Sequence, residues 1–328
     1  MGFVLILLNE VFLNNQPKVI LTSQVYQKSS LVLLDYLEKK FRYLDRSEWR
    51  ERLEAGQVLV NDRPASAGQP LRAGDTVTYA TTAWKEPEVN PNYKTIYEDE
   101  AILALSKSSP LPVHGIGAYF QNTLMHLLRR DRPEASEFNL VHRLDRETSG
   151  VLLLSKKREY LKPLQQQWLE GRVRKTYWGL VFGAFAPGVR QVEAAIGPKR
   201  GSRIRMKMGV DHVAGKASVT AFRGLETRRE ISLVEARPET GRTHQIRVHL
   251  EALGFPLVGD KIYAGNDEVF LEFLRDGWTE SLETKIVLPR LALHAHRLEL
   301  THPFSGEPLV LEDPLPDDLA NFWNSLGG

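Results

Sequence analysis

The chain has 328 residues, 42% hydrophobic and 26% charged, which excludes a disordered or fibrous protein and leaves room for two domains, or for one large domain with an appendage. It contains no cysteine, so disulfides, thiolate nucleophiles and cysteine-ligated zinc or iron–sulfur centres are ruled out, in keeping with a reducing, cytoplasmic setting. Net charge is only +2, from 43 basic and 41 acidic residues, so any nucleic-acid surface must come from the clustering of cations rather than their abundance.

In chain order, residues 1–28 read as an extension without periodicity. Its apolar run at 3–8 lacks a basic flank and is cut off by Asn9 and Glu10, which fits a strand or docking segment better than a secretory signal. No stretch reaches the roughly 18–20 apolar residues of a membrane span, so no membrane partner is expected. Residues 29–83 form a small αβ module. Ser29 and Ser30 are placed to cap a helix with an apolar face of Leu33, Leu34, Leu37 and Phe41, and a second helix starts near Ser47, carries Trp49 and Leu53 and stops at Gly56. The strand Val58-Leu59-Val60 turns at Asn61-Asp62, and a second strand at 76–79 closes a small sheet. Pro87 and Pro91 mark residues 84–91 as a linker.

Residues 92–328 read as one larger domain. Short β-branched runs at 101–105, 151–154, 176–181, 218–222, 232–236 and 291–300 alternate with Gly, Pro and Asp punctuation, and helical patterns fall at 124–130, 160–169 and 243–253. The class is α+β with a mostly antiparallel mixed sheet, flanked by helices and carrying a central cleft. Lys199, Arg200, Arg203, Arg205 and Lys207 gather on what reads as a mobile arm or hairpin near that cleft; a solvated hairpin and phosphate contact are both open for it.

The strongest chemical signal is His142-Arg143-Leu144-Asp145-Arg146-Glu147-Thr148-Ser149-Gly150, running directly into an apolar strand. A carboxylate on a polar loop between two arginines is favoured in its ionised form, each arginine contributing up to about 4 kcal/mol at about 4 Å and an effective dielectric near 20, before desolvation. Such a carboxylate can serve as nucleophile or general base. On these residues alone a structural ion pair is the commoner explanation.

The segment resembles the signature of the RluA-type RNA pseudouridine synthases, and three further segments follow in the family's order. Arg174-Lys175-Thr176-Tyr177 resembles its second motif. Pro238-Glu239-Thr240-Gly241-Arg242-Thr243-His244-Gln245-Ile246-Arg247 resembles its third, with Gly241 suited to a tight turn and Thr243 to a helix cap. Gly259-Asp260-Lys261-Ile262-Tyr263 and Leu293-His294-Ala295 resemble structural segments downstream. The resemblance implies that Asp145 is the catalytic aspartate, that Tyr177 covers the target base, and that Arg247, with Arg242 as second candidate, pairs with the aspartate. It implies further that Arg143 fills the space left by a flipped uridine. RNA contact is expected from His142, Arg146, Arg242, His244, Gln245 and Lys107, and from Arg203 and Arg205 on the arm. The front module is similar to an S4-like RNA-binding domain, which would give Arg42, Arg46, Arg50 and Arg52 to phosphates.

One departure stands out: where most relatives have Lys-Pro-Ala-Gly, this chain reads Lys107-Ser108-Ser109-Pro110, a variation that leaves the RNA target open. The expectation is a cofactor-free isomerase acting as a monomer on structured RNA, ribosomal RNA first and transfer RNA next, with no obligate protein partner. Two rivals come from other classes. A non-catalytic RNA-binding or ribosome-assembly protein would not need Asp145, Tyr177 and Arg247 together. A metal-dependent nucleic-acid enzyme would use His244, His249, His294 and His296, but His244 and His249 are five apart on a helix and share no face.

Overall fold

The computed structural model describes residues 9–13, 16–25, 31–40, 44–81, 86–115 and 119–327. The apolar run at 3–8, the cap positions Ser29 and Ser30, Phe41, Arg42 and the first linker residues Trp84 and Lys85 lie outside them. The chain divides into two compact units, Met1–Pro87 with Gly115–Phe120, and Glu88–His114 with Gln121–Gly328.

The first unit is a five-stranded antiparallel sheet, in the order Asn9–Leu13, Gln16–Gln24, Thr76–Thr81, Val58–Val60 and Arg63–Pro64, with helices Leu33–Lys40 and Arg46–Glu54. The first two strands fall where the sequence shows no period: Gln16–Gln24 adds through backbone pairing to Thr76–Thr81 and Asn9–Leu13 to Gln16–Gln24, a force that leaves little mark on composition. Asn61 and Asp62 make the tight turn with φ of 50° and 62°, a conformation their short polar side chains tolerate. The second helix starts at Arg46 and is capped by Asp45: the Asp45 carboxylate accepts from the backbone N–H of Ser47 and Glu48, and Glu48 reaches back to the cap. Leu33, Leu37, Trp49, Val58 and Val77 are sealed from solvent, with Trp49 edge-on to Tyr79 at 5.0 Å.

The second unit is built on a ten-stranded sheet. Its main path runs Val189–Glu193, Val219–Arg228, Ile231–Pro238, Arg174–Phe182, Leu293–Thr301, Ser149–Ser155, Ile102–Lys107 and Tyr93–Glu98, with Asn139–Leu140 and Pro308–Glu312 pairing at the side. Every pairing is antiparallel except that of Ser149–Ser155 with Leu293–Thr301. All seven residues of Ser149–Ser155 are buried, because both sheet faces are covered. Leu152 and Leu154 point into one core with Leu103, Leu105 and Leu128, while Val151 and Leu153 enter another with Ile102 and Leu164. At the parallel contact Gly150 has φ of +112°, and a Cβ there would sit 2.3 Å from the Ala295 carbonyl oxygen, so only glycine lets the two strands approach.

Helices Leu124–Asp131, Arg158–Leu169 and Gln245–Ala252 match the expected patterns within two residues, and Asp267–Asp276, Glu280–Ile286 and Asp317–Ser325 complete the unit. Thr243 does not cap Gln245–Ala252. The cap position is His244, in the left-handed region with φ of 58°, and the turn is held by Gln245, whose side-chain oxygen accepts from the Thr240 hydroxyl and the Arg242 N–H. Gly241 takes no positive φ and has open space beside it, so the turn does not depend on it.

Candidate active site

The loop ahead of Ser149–Ser155 is fixed by its backbone. The Arg146 carbonyl accepts from the Leu111 N–H at 2.8 Å and from Lys107 Nζ at 3.2 Å, and the Glu147 carbonyl accepts from the Ser109 hydroxyl at 2.8 Å. Leu144 and Thr148 are buried on either side. What remains is Asp145, its side chain 27% exposed, facing a cleft of about 550 Å³ lined also by Arg143, Lys175, Tyr177, Arg242, His244 and Arg247. That volume lies within the range of about 300–1,000 Å³ of small-ligand clefts.

Arg247 reaches Asp145 from the helix Gln245–Ala252, with Nη1 at 3.6 Å from Oδ2. It is held for that purpose by a second carboxylate: Nε and Nη2 donate to the two oxygens of Asp260, both at 2.8 Å, and the guanidinium lies over the Tyr263 ring at 4.9 Å. Asp260 is fully buried and accepts in addition from the backbone N–H of Ile262 and Tyr263. Burial opposes charge on both partners, but the bidentate pair outweighs it, raising the guanidinium and lowering the carboxyl from their ordinary ranges. Gly259 precedes this clamp at φ of +72°, where a Cβ would lie 1.8 Å from the Arg290 carbonyl oxygen. Its N–H donates to the Ile286 carbonyl, closing the excursion through the helices Asp267–Asp276 and Glu280–Ile286.

Tyr177 stands on Arg174–Phe182 between Ala236 and Ala295 and forms one wall. Burial, with Asp145 nearby, pushes its phenol well above the usual range, so it is a neutral ring at physiological pH. His244 stands on the opposite element with its side chain 10% exposed; Nε2 is 3.9 Å from Asp145 Oδ2, and Nδ1 is 2.9 Å from the Tyr263 hydroxyl. Burial first, then Arg247, lowers its imidazole to about 4.

Arg143, Arg242, His244 and Tyr177 are thus brought together with Asp145 and Arg247, as the motifs implied, although Arg146 turns away to pair with Glu147 at 2.6 Å. Three residues expected at the RNA surface have internal work instead. Lys107 is enclosed, and its ammonium donates to the carbonyls of Ser108, Leu111 and Arg146, which uses its three N–H groups; burial pulls it down to about 7. His142 accepts from the Leu153 N–H, stacks on Trp168 at 5.0 Å and is lowered to about 4 by burial and Lys175, so it carries no charge for a phosphate. Gln245 is buried in the turn described above.

On the arm, Arg203 pairs with Glu268, Arg205 is exposed, and neither lines the cleft. Lys207 is buried against Asp267 at 3.0 Å, and the arm is a hairpin, Ile196–Pro198 with Met208–Val210, whose apolar residues pack with Val248, Ile262 and Tyr263. In the first unit Arg46 is ion-paired with Asp35 and Glu38, Arg50 is exposed, and Arg52 Nε is enclosed with no hydrogen-bond partner among the described residues.

Both ring nitrogens of His249 and of His294 are taken by hydroxyls and carbonyls, Ser218, Thr220 and Ala194 for the first and Ser149 and Asp313 for the second, and Nδ1 of His296 is taken by the Asp313 carbonyl. Sequence reasoning missed Asp260, Tyr263 and Lys175 as site residues. The first two stand in a segment that was read only as structural. The third stands two residues before Tyr177, and its Nζ lies 3.3 Å from the Thr240 carbonyl on the cleft wall.

A ten-stranded mixed sheet carrying a carboxylate, a clamped arginine and a half-buried tyrosine around one cleft defines a class. Residues 101–252 match the family model described as RNA pseudouridylate synthase, and the chain belongs to that family of uridine-isomerising enzymes. Its relatives include the ribosomal large subunit pseudouridine synthase C of Vibrio vulnificus (strain CMCP6), 35% identical across 89% of this chain and 91% of that protein. The synthase C of Escherichia coli (strain K12) is 35% identical across 89% and 92%, and the synthase D of Neisseria meningitidis is 33% identical across 84% and 73%. Among solved structures, human RNA pseudouridylate synthase domain containing 1 superposes with a TM-score of 0.56 at 26% identity, covering 74% of this chain and 97% of that one.

Proposed function

We propose that Asp145 drives the isomerisation of a uridine in large-subunit ribosomal RNA. The observation that carries the assignment of Asp145 is its partly exposed carboxylate in a cleft where Arg247, locked by Asp260, stands 3.6 Å away. The relatives' ribosomal targets support the choice of RNA; transfer RNA is the alternative.

The target base must leave its stack, at a cost of a few kcal/mol that is smallest in loops and bulges. Arg143, exposed at the cleft mouth, occupies the vacated space, and the neutral Tyr177 ring covers the base. Asp145 then breaks the C1′–N1 bond, either by attack or by taking a sugar proton. The uracil turns so that C5 faces C1′, a C1′–C5 bond forms, the hydrogen leaves C5 and N1 gains one. Substrate and product are isomers, so nothing is consumed and no cofactor is called for. The first unit, with Arg50 exposed, adds affinity for structured RNA in the manner of an S4-like module, and residues 84–91 link it to the isomerising domain.

The test is Asp145→Asn and Asp145→Ala on large-subunit RNA fragments, scored by pseudouridine formation and by RNA binding. Turnover should fall by about 10²–10⁴-fold or more with binding within a few-fold; near-normal turnover removes Asp145 from the chemistry. A pseudouridine map of RNA from cells lacking the protein should lose a site in large-subunit RNA, and loss confined to transfer RNA would reassign the substrate.

A further inference from the structure

His244 has a defined proton arrangement that the Asp145 chemistry leaves without a task. The backbone N–H of Met208 donates to the Tyr263 hydroxyl oxygen at 2.9 Å, and that hydroxyl lies 2.9 Å from His244 Nδ1. A phenolic oxygen that already accepts one N–H has its own proton to give, and Nδ1 is the acceptor in reach, so Tyr263 donates to Nδ1. The ring proton of a neutral His244 therefore sits on Nε2. Burial, holding the imidazole near 4, keeps a second proton off the ring at neutral pH. Nε2 faces the cleft at 3.9 Å from Asp145 Oδ2, too far for a hydrogen bond, and has no acceptor among the described residues.

Resting on the reading of Asp145 above, we infer that His244 Nε2–H donates to the O2 oxygen of the flipped uracil and stabilises the base as it leaves C1′. When the C1′–N1 bond breaks, negative charge spreads over N1, O2 and O4, and O2 is the oxygen beside the breaking bond. With the carboxylate against C1′, a donor 3.9 Å from its Oδ2 is placed to reach O2, which lies two bonds from N1. A neutral imidazole suits this step better than an imidazolium. It stabilises the anion without handing a proton to N1, so the base stays nucleophilic at C5 for the second bond. Tyr263 is then a positioning residue that fixes the tautomer, and the hairpin strand Met208–Val210 supplies the N–H that orients Tyr263.

The experiment is a chemical cycle. Synthetic RNAs carrying uridine or 2-thiouridine at the target are turned over by the full-length wild type and by His244→Phe and Tyr263→Phe; sulfur at position 2 is a poor acceptor. For uridine, His244→Phe should lower kcat on the order of 10²-fold with KM within a few-fold, the size seen when one such donor is removed, and Tyr263→Phe should lower it less. Wild type should also slow on 2-thiouridine, while each variant should lose little more on the thio substrate than on uridine, because the contact is already gone. Losses that multiply would overturn the inference. So would the same non-additivity with 2′-deoxyuridine in place of 2-thiouridine, which would move the contact to the ribose. If His244→Phe fails to fold by circular dichroism, the Tyr263→Phe cycle decides alone. An Asp145→Asn enzyme that still turns over would sink the underlying reading, whereas a dead Asp145→Asn with multiplying losses sinks only the role of His244.

Discussion

Arg46 in the first unit and Arg247 in the second are both ion-paired on helices, yet they do opposite things. Arg46 is 47% exposed and meets Asp35 and Glu38, themselves about half exposed, so water screens the pair and competes for each partner. Arg247 is 8% exposed against a fully buried Asp260, with both N–H···O contacts at 2.8 Å. A surface arginine can be taken up by an RNA phosphate at little cost. A buried one is held to a single direction, which is what a group that must stand 3.6 Å from a reacting carboxylate requires. Exposure therefore sorts cations into those that bind and those that position, and charge counting alone misses the division.

Breaking the buried side should have the largest effect. Asp260→Ala leaves Arg247 charged in the interior without its bidentate partner, with only the looser contact to Asp145 at 3.6 Å, a change that costs up to about 3–5 kcal/mol. Urea denaturation should show that loss, with turnover reduced as Arg247 swings from Asp145; an unchanged urea midpoint would mean that Asp260 does not hold Arg247.

A smaller effect comes from the histidines kept neutral by burial. His142, His244 and His294 are each lowered to about 4, against about 6.5 in the unfolded chain. Between those values the unfolded chain binds protons that the native state refuses, so stability is fully present above about 6.5 and declines as pH falls toward about 4. Urea midpoints measured across that window should fall, and His142→Gln should make the decline shallower; identical curves would mean that His142 titrates normally in the fold.

On the exposed side, Arg46→Ala should leave the urea midpoint where it is. If Arg46 gives up its carboxylates for a phosphate, the substitution lowers the slope of log K against log salt by about 0.7–0.9. Equal slopes would make Arg46 a purely internal pair. The smallest expected effect is that of chelation: with both ring nitrogens of His249 and His294, and Nδ1 of His296, taken by hydroxyls and carbonyls, EDTA should leave turnover unchanged, and zinc-dependent recovery of a stripped enzyme would refute that.

The sequence carried much of this, for physical reasons. Buried strands such as Ser149–Ser155 announce themselves as unbroken apolar runs, and the three motif residues Asp145, Tyr177 and Arg247 do meet around one cleft. The helix Asp267–Asp276 is also marked in the sequence, since Asn266 caps it and Asp267 and Glu268 fill its first turn. Other features had no local mark. Lys107 looks like any basic residue until three carbonyls close around it, and the Asp260 clamp depends on a turn 13 residues beyond its partner. The left-handed His244 arises because the chain must enter the helix from a turn that Gln245 has already tied down.

Gly259 has a consequence for how this chain can be altered. Its backbone meets the carbonyls of Arg290 and Ile286, so everything from Lys261 to Pro289 is an excursion that leaves and returns to one point. Lengthening such a loop costs only about 0.6 kcal/mol per doubling, whereas adding one methyl at the junction would push Asp260 off Arg247. Exposed positions on the excursion, such as Leu274, are therefore open to substitution, while the junction itself is closed to change.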